Sequence, residues 1–145
     1  MERDDAYYMQ IALQEAEKAL DEGEIPVGAV VVCHDKIVAK AHNQTERLND
    51  ATAHAEMLAL TAAMHAIGAK YLTECTLYVT LEPCQMCSGA MYWAKLKKVV
   101  YGASDPLRGY AHLGCPLHPK TQVVRGVLAE RSENLVKTFF QKIRR

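Results

Sequence analysis

The sequence contains no apolar run long enough to cross a membrane as a helix. Its first residues do not combine a basic head, an apolar block and a cleavage site, so secretion is not expected and a cytoplasmic location is. There are no internal repeats, no low-complexity segments and no linker, which leaves a single domain over residues 1–145, long enough to bury a real core. Half of the residues are hydrophobic, as in soluble globular proteins. Formal net charge is zero, so the whole-protein field attracts no polyanion; such a partner would have to be held by a local basic patch. The five cysteines are an odd number and suggest no disulfide framework. Cys33, Cys75 and Cys115 are expected to be reduced and mostly buried.

Two short segments carry the chemistry. His54-Ala55-Glu56 offers an imidazole and, two residues on, a carboxylate. Pro83-Cys84-Gln85-Met86-Cys87 offers two thiols at C-x-x-C spacing behind a proline. One neutral nitrogen and two thiolates supply three ligands for one Zn²⁺ per chain, one short of a tetrahedron. A structural zinc site normally closes with a fourth protein ligand, whereas a catalytic one leaves that place to water. Glu56 is then the group to handle the water's proton. No fourth cysteine or histidine is placed nearby to complete a structural zinc module, and a thioredoxin-like context for redox chemistry is lacking. The H-x-E…P-C-x-x-C pattern is the signature of zinc-dependent nucleobase deaminases. A helix over residues 53–66 would hold His54 and Glu56 in its first turn. Pro83 suits the start of a second helix, with Cys84 and Cys87 about one turn apart at an N-terminus that favours thiolate.

Along the chain, Asp4 and Asp5 can cap a helix to about Glu22, with Tyr8, Ile11, Ala12, Glu15/Ala16 and Ala19 as its stripe and Gly23 as its end. Val27 to Cys33 is a continuous β-branched run, typical of a strand covered on both faces. His34-Asp35-Lys36 turns the chain into a hairpin partner at Ile37 to Ala41, and residues 43–50 read as polar loop. Gly68 ends the His54 helix. A strand over Thr76–Leu81 leads to Pro83, the Cys84 helix runs to about Ala94, and a strand follows at Lys98–Gly102. Residues 104–119, with three prolines and two glycines, read as a long loop. Gln122–Val127 forms a fifth strand and Glu130–Arg145 a last helix. Alternating strands and helices predict a layered α/β fold around one mixed sheet. The helices containing Met57–Met64 and Ala90–Ala94 are apolar nearly all round, which predicts burial beneath the last helix or a self-associating face.

Beyond the zinc motif, the chain resembles the bacterial tRNA-specific adenosine deaminases nearly end to end. The resemblance lies in Gly23-Glu24-Ile25-Pro26-Val27-Gly28-Ala29-Val30, Asn43, Thr52-Ala53-His54-Ala55-Glu56, Thr76-Leu77-Tyr78-Val79-Thr80-Leu81-Glu82-Pro83-Cys84, Gly89-Ala90-Met91 and Gly102-Ala103-x-Asp105. It implies a cytidine-deaminase-like three-layer fold, with a central mixed five-stranded sheet and helices on both faces. It also implies a homodimer and conversion of adenosine to inosine at the wobble position of a tRNA anticodon stem-loop. In that family the residue matching Asn43 binds the base and the one matching Asp105 lies near the nucleotide; Asn43, Ala55, Pro83 and Asp105 are the candidate substrate-binding residues.

The chain departs from the family after Asp105. Where Lys-x-Gly-Ala-x-Gly-Ser and later an Asn-His pair are usual, it reads Pro106-Leu107-Arg108-Gly109-Tyr110-Ala111-His112-Leu113-Gly114-Cys115, then His118-Pro119-Lys120-Thr121. The family's cysteine before the last helix is replaced within Ala129-Glu130-Arg131-Ser132. Tyr92-Trp93-Ala94 resembles the guanine deaminases, so free guanine is the alternative substrate. Several residues have a plain alternative. Asn43 and Asp105 also suit turns. Tyr110 could stack a base or cover the core. Lys137, Lys142, Arg144 and Arg145 could clamp phosphates or be solvated cations at a helix C-terminus. His34, His42, His65, His112 and His118 are expected at the surface or in turns.

Overall fold

Asp4 opens the first helix: its carboxylate accepts the Tyr7 N–H at 2.9 Å and satisfies one of the free donors at the start of α1, Asp5–Asp21. Tyr8, Met9, Ala12, Leu13, Ala16 and Ala19 bury its inner face, while Ile11 is only half-buried. The structure, a computed structural model, describes residues 3–143.

Strands β1, Gly28–Cys33, and β2, Lys36–His42, form the expected hairpin. His34 and Asp35 take left-handed φ values of 51° and 62°, the type I′ pattern whose twist suits a two-residue turn. Lys36 therefore opens β2 and is not part of the turn. The continuous apolar character of β1 follows from its two covers. Val30 and Val32 pack towards α1, and Ala29 and Val31 towards the core on the other face. The start of β1 passes so close to α1 that a Cβ on Gly28 would lie 1.9 Å from the Ala12 carbonyl oxygen. Only glycine fits there.

The remaining elements are α2, Ala55–Ile67; β3, Cys75–Leu81; α3, Gln85–Ala94; β4, Lys98–Ala103; α4, Tyr110–Leu113; β5, Gln122–Val124; and α5, Ala129–Ile143. The sheet order is β2-β1-β3-β4-β5. β1 runs antiparallel to β2 and β3, whereas β3, β4 and β5 are parallel, so the five-stranded sheet is mixed as expected. β5 stops at Val124, three residues short of the expected end, before left-handed turns at Gly126 and Leu128. Residues 104–119 are not purely loop, since they contain the single turn of α4.

Helices cover both faces. α1 and α5 share one core with Val30, Val32, Tyr78 and Val100. α2 and α3 share the other with Val31, Leu77, Val79 and Val99. The last helix therefore lies across the sheet from the two apolar helices and does not account for their composition. Met57, Leu58, Met64, Met86 and Ala90 remain half-buried, and Trp93 is 74% exposed. Among the described residues no helix is long and apolar enough to cross a membrane.

Candidate active site and metal centre

Strand directions bring the functional segments to one end of the sheet. Because β1 opposes β2 and β3, its start lies beside the ends of β2, β3 and β4. Ile25, Val27, Asn43, Leu81 and Ser104 accordingly line one cleft of about 450 Å³. It is a size typical of small-molecule sites, at the strand ends where open α/β sheets bind ligands.

The loop after β2 is closed by the Gln44 N–H, which donates to the Ala53 carbonyl at 3.0 Å and returns the chain to the cleft at His54. His54 is the extended N-cap of α2, at φ −72° and ψ 151°, and not a residue of its first turn. Ala55 and Glu56 are the first two helical residues, both buried and both lining the cleft. Cys84 is in turn the extended N-cap of α3, and Cys87 is buried one turn on. Pro83 thus precedes the cap and does not occupy the first helical position.

His54 Nδ1 lies 3.7 Å from Cys84 Sγ and 3.5 Å from Cys87 Sγ. The three donor atoms fall within 4.8 Å of one another. Ligand atoms on a zinc tetrahedron stand ~3.4–3.8 Å apart, given zinc bonds of ~2.0–2.3 Å, and both nitrogen–sulfur separations match that spacing. The donors also compete for protons. A hydrogen bond with Cys87, and a second with His54, hold the Cys84 thiol down at about 4. The Cys84 contact and burial push the Cys87 thiol up, and the Cys84 contact raises His54. Both thiols must be ionised to hold a metal, so loading this site releases protons. Burial pushes the Glu56 carboxyl up to about 7, within the range of a group that both takes and gives protons.

The other candidates differ in what they touch. Asn43 is buried in the cleft wall. Its Nδ2 donates to the Ile25 carbonyl at 3.2 Å and its Oδ1 accepts the Thr45 N–H at 3.4 Å. The second amide N–H and a lone pair are not used by these bonds. Asp105 also lines the cleft, but its Oδ1 accepts the Leu107 and Arg108 N–H groups at 3.1 and 3.0 Å, which makes it a turn former. Pro83 is not part of the lining; its carbonyl accepts the Tyr110 N–H at 2.9 Å. Tyr110 is half-buried with its ring edge-on to Tyr101, which is the core-covering alternative. Lys142 is exposed on the last turn of α5, outside the lining, and Arg144 and Arg145 lie outside the described residues. His42 is no free surface residue, since its ring reaches Glu15 at 3.4 Å and Glu22 at 3.0 Å.

Four lining or supporting residues escaped the sequence. Val136 and Phe140 reach the cleft from α5, and nothing local marks them. Glu24 and Glu82 are buried carboxylates beneath the two loops. Glu82 has a signal, an acid between Leu81 and Pro83 at the end of an apolar strand, whereas Glu24 follows Asp21-Glu22-Gly23 and has none.

A family model described as the cytidine and deoxycytidylate deaminase zinc-binding region matches residues 2–103. The chain belongs to this zinc-dependent deaminase family. It is 44% identical over 144 residues to the tRNA-specific adenosine deaminase of Aquifex aeolicus, covering 95% of each chain. It is 42% identical over 147 residues to the enzyme of that name from Bacillus subtilis, covering 97% of this chain and 91% of the relative. A solved structure from a study of A-to-I editing by tRNA:A34 deaminases at the wobble position superposes with a TM-score of 0.82 at 36% identity, over 89% of this chain and 98% of that one. The fold is therefore the cytidine-deaminase-like one. The metal of this family is zinc, for which His54, Cys84 and Cys87 are the one candidate cluster among the described residues.

Proposed function

We propose that this chain is a zinc-dependent hydrolase that converts adenosine to inosine at the wobble position of a tRNA. The carrying observation is a three-donor zinc set, His54, Cys84 and Cys87, beside the buried Glu56 carboxylate at one cleft that His54, Cys84 and Glu56 line. His54, Cys84 and Cys87 hold one zinc per chain. The chemistry zinc supplies at such a site is Lewis-acid activation of water at the position the three donors leave free. Glu56 takes one proton from the attacking water and delivers it to N1 of adenine, then takes the second from the hydroxyl now on C6 and gives it to the amine, which departs as ammonia. Asn43 orients the base from one wall, and Ala55 and Asp105, which also line the cleft, shape its surroundings. The base must leave its stack to enter, which costs least in a single-stranded loop. A neutral protein meets the phosphates of the stem-loop with a local patch, for which Lys142, Arg144 and Arg145 at the chain end are the candidates. Such an enzyme works in the cytoplasm, where its tRNA is.

A second copy of the chain covers the outward faces of α2 and α3, whose half-buried methionines and exposed Trp93 suit a closed symmetric homodimer. Sedimentation at micromolar concentration is expected to show the dimer; a monomer would remove this part of the proposal. The free-guanine alternative is not supported. Of the residues that suggested it, Tyr92 and Trp93 are exposed on α3, Ala94 is buried, and none lines the cleft.

Assay on an adenosine-bearing anticodon stem-loop, adenosine, guanine and cytidine, with zinc measured alongside, tests the function. Inosine in the stem-loop and about one zinc per chain are expected. Ammonia from guanine with no inosine would overturn it. Binding should also weaken as salt rises, and truncation after Phe140 should flatten that dependence while leaving zinc in place.

A further inference from the structure

We propose that Glu24 and Glu82 are paired positioning residues that set the two walls of the cleft and thereby its fit to the base. The proposal rests on the reading of the cleft as a base pocket. One wall is the loop after β2, with Asn43 and Thr45, and the other is the loop after β4, residues 104–108. Both are irregular segments, beyond the reach of the strand ladders.

Each wall is tied down by one buried carboxylate. Glu24 is 1% exposed. Its Oε1 accepts the Glu46 N–H at 3.0 Å and the Thr45 hydroxyl at 3.4 Å, and its Oε2 accepts the Arg47 N–H at 2.8 Å. Glu82 is 6% exposed; its Oε1 accepts the Asp105 N–H at 3.0 Å and its Oε2 the Ala111 N–H at 3.1 Å. Gly109 is pressed against the same carboxylate, where an added Cβ would stand 2.3 Å from Cδ. The second wall is thus clamped to the segment that leads into Cys84. The first is clamped beneath Ile25, whose carbonyl in turn holds the Asn43 amide.

Among the described residues neither glutamate has an ion-pair partner. Burying a carboxylate is costly, and an apolar side chain would fill the space without that cost. What an apolar residue cannot do is accept from loop amides on both oxygens. Charge-assisted bonds to backbone N–H groups are the strong kind. A glutamine cannot replace them, because its NH₂ would face one N–H with another donor.

The test compares Glu24→Gln, Glu82→Gln and the double variant with Ser132→Ala. The last removes a buried hydrogen bond to the Thr80 carbonyl outside the cleft. Amide exchange should quicken only in residues 45–47 for the first variant and only in residues 105–111 for the second, with zinc unchanged. KM for the adenosine stem-loop should rise ~10- to 100-fold in each, with a smaller change in kcat, and the effects should multiply in the double variant. Ser132→Ala should lower Tm without raising KM. Should a Gln variant fail to fold, the corresponding Asp variant, which keeps the charge but shortens its reach, is read the same way. Unaltered exchange in both walls, exchange raised evenly over the sheet, or an equal KM rise in Ser132→Ala would each overturn the proposal. A wild type that leaves the stem-loop unreacted would instead overturn the substrate reading, while the exchange measurement still decides the positioning.

Discussion

Two clefts of similar size open at opposite ends of the sheet, about 450 Å³ at the zinc end and about 380 Å³ at the other. They differ in where their polar groups point. At the far end, Lys98 Nζ reaches both Asp5 oxygens at 3.1 Å, the Tyr78 hydroxyl donates to Asp5 Oδ1 at 2.9 Å, and the Tyr8 hydroxyl donates to the Asp35 carbonyl at 3.2 Å. These groups are matched with one another and fasten α1 to the sheet. At the zinc end His54, Glu56 and Cys84 line one cleft from two helix starts, with the Cys87 sulfur buried 3.5 Å from His54 Nδ1. Cleft size therefore does not mark the site. What marks it is a set of groups held together at an electrostatic cost that folding alone does not require.

The sharpest way to break this contrast is Cys87→Ala. It should lose zinc, turnover and much of the thermal stability together, because metal-binding free energy is also folding free energy. Elemental analysis and calorimetry read both, and full zinc in the variant would refute the ligand assignment. Next in size, Glu56→Ala should lose about 10²- to 10⁴-fold in kcat while keeping zinc and fold. Near-normal deamination would end its role as proton carrier. At the far end the pattern reverses. Asp5→Asn should cost about 1 kcal/mol in urea unfolding with kcat and KM unchanged. A slowed reaction would show that the two ends are coupled.

The smallest effect concerns pH. Burial, with the hydrogen bond to Asp5 next, pushes the Tyr78 hydroxyl well above the usual tyrosine range. In the unfolded chain it ionises near ~10, so above that pH the unfolded state binds fewer protons and stability falls as pH rises. Tyr78→Phe should remove that part of the alkaline slope, seen by comparing Tm across pH 9 to 11, and leave activity at neutral pH untouched.

Much of this was legible along the chain because its causes are local. Asp4 caps α1, Gly68 ends α2 in a left-handed turn, and the β-branched run of β1 is covered on both faces. The motif residues His54, Glu56, Cys84 and Cys87 could be singled out because zinc chemistry demands those side chains at those spacings. Errors arose where a neighbour distant in sequence decides the outcome. Pro83 suits a first helical position, yet its place is set by the pairing of Cys84 with Gly109 and the bond from Tyr110 to its carbonyl.

By itself the sequence determined the class of fold and singled out the candidate metal donors and the candidate proton carrier, since each is read from side-chain type and short-range spacing. Only the tertiary structure decided that α5 lies on the face away from α2 and α3, that Val136 and Phe140 enter the cleft, and that Glu24 and Glu82 hold its walls. The physical reason is that a buried carboxylate is tolerated only where amides converge on it. Those amides come from 22 to 29 residues further along the chain, a separation no local pattern can register.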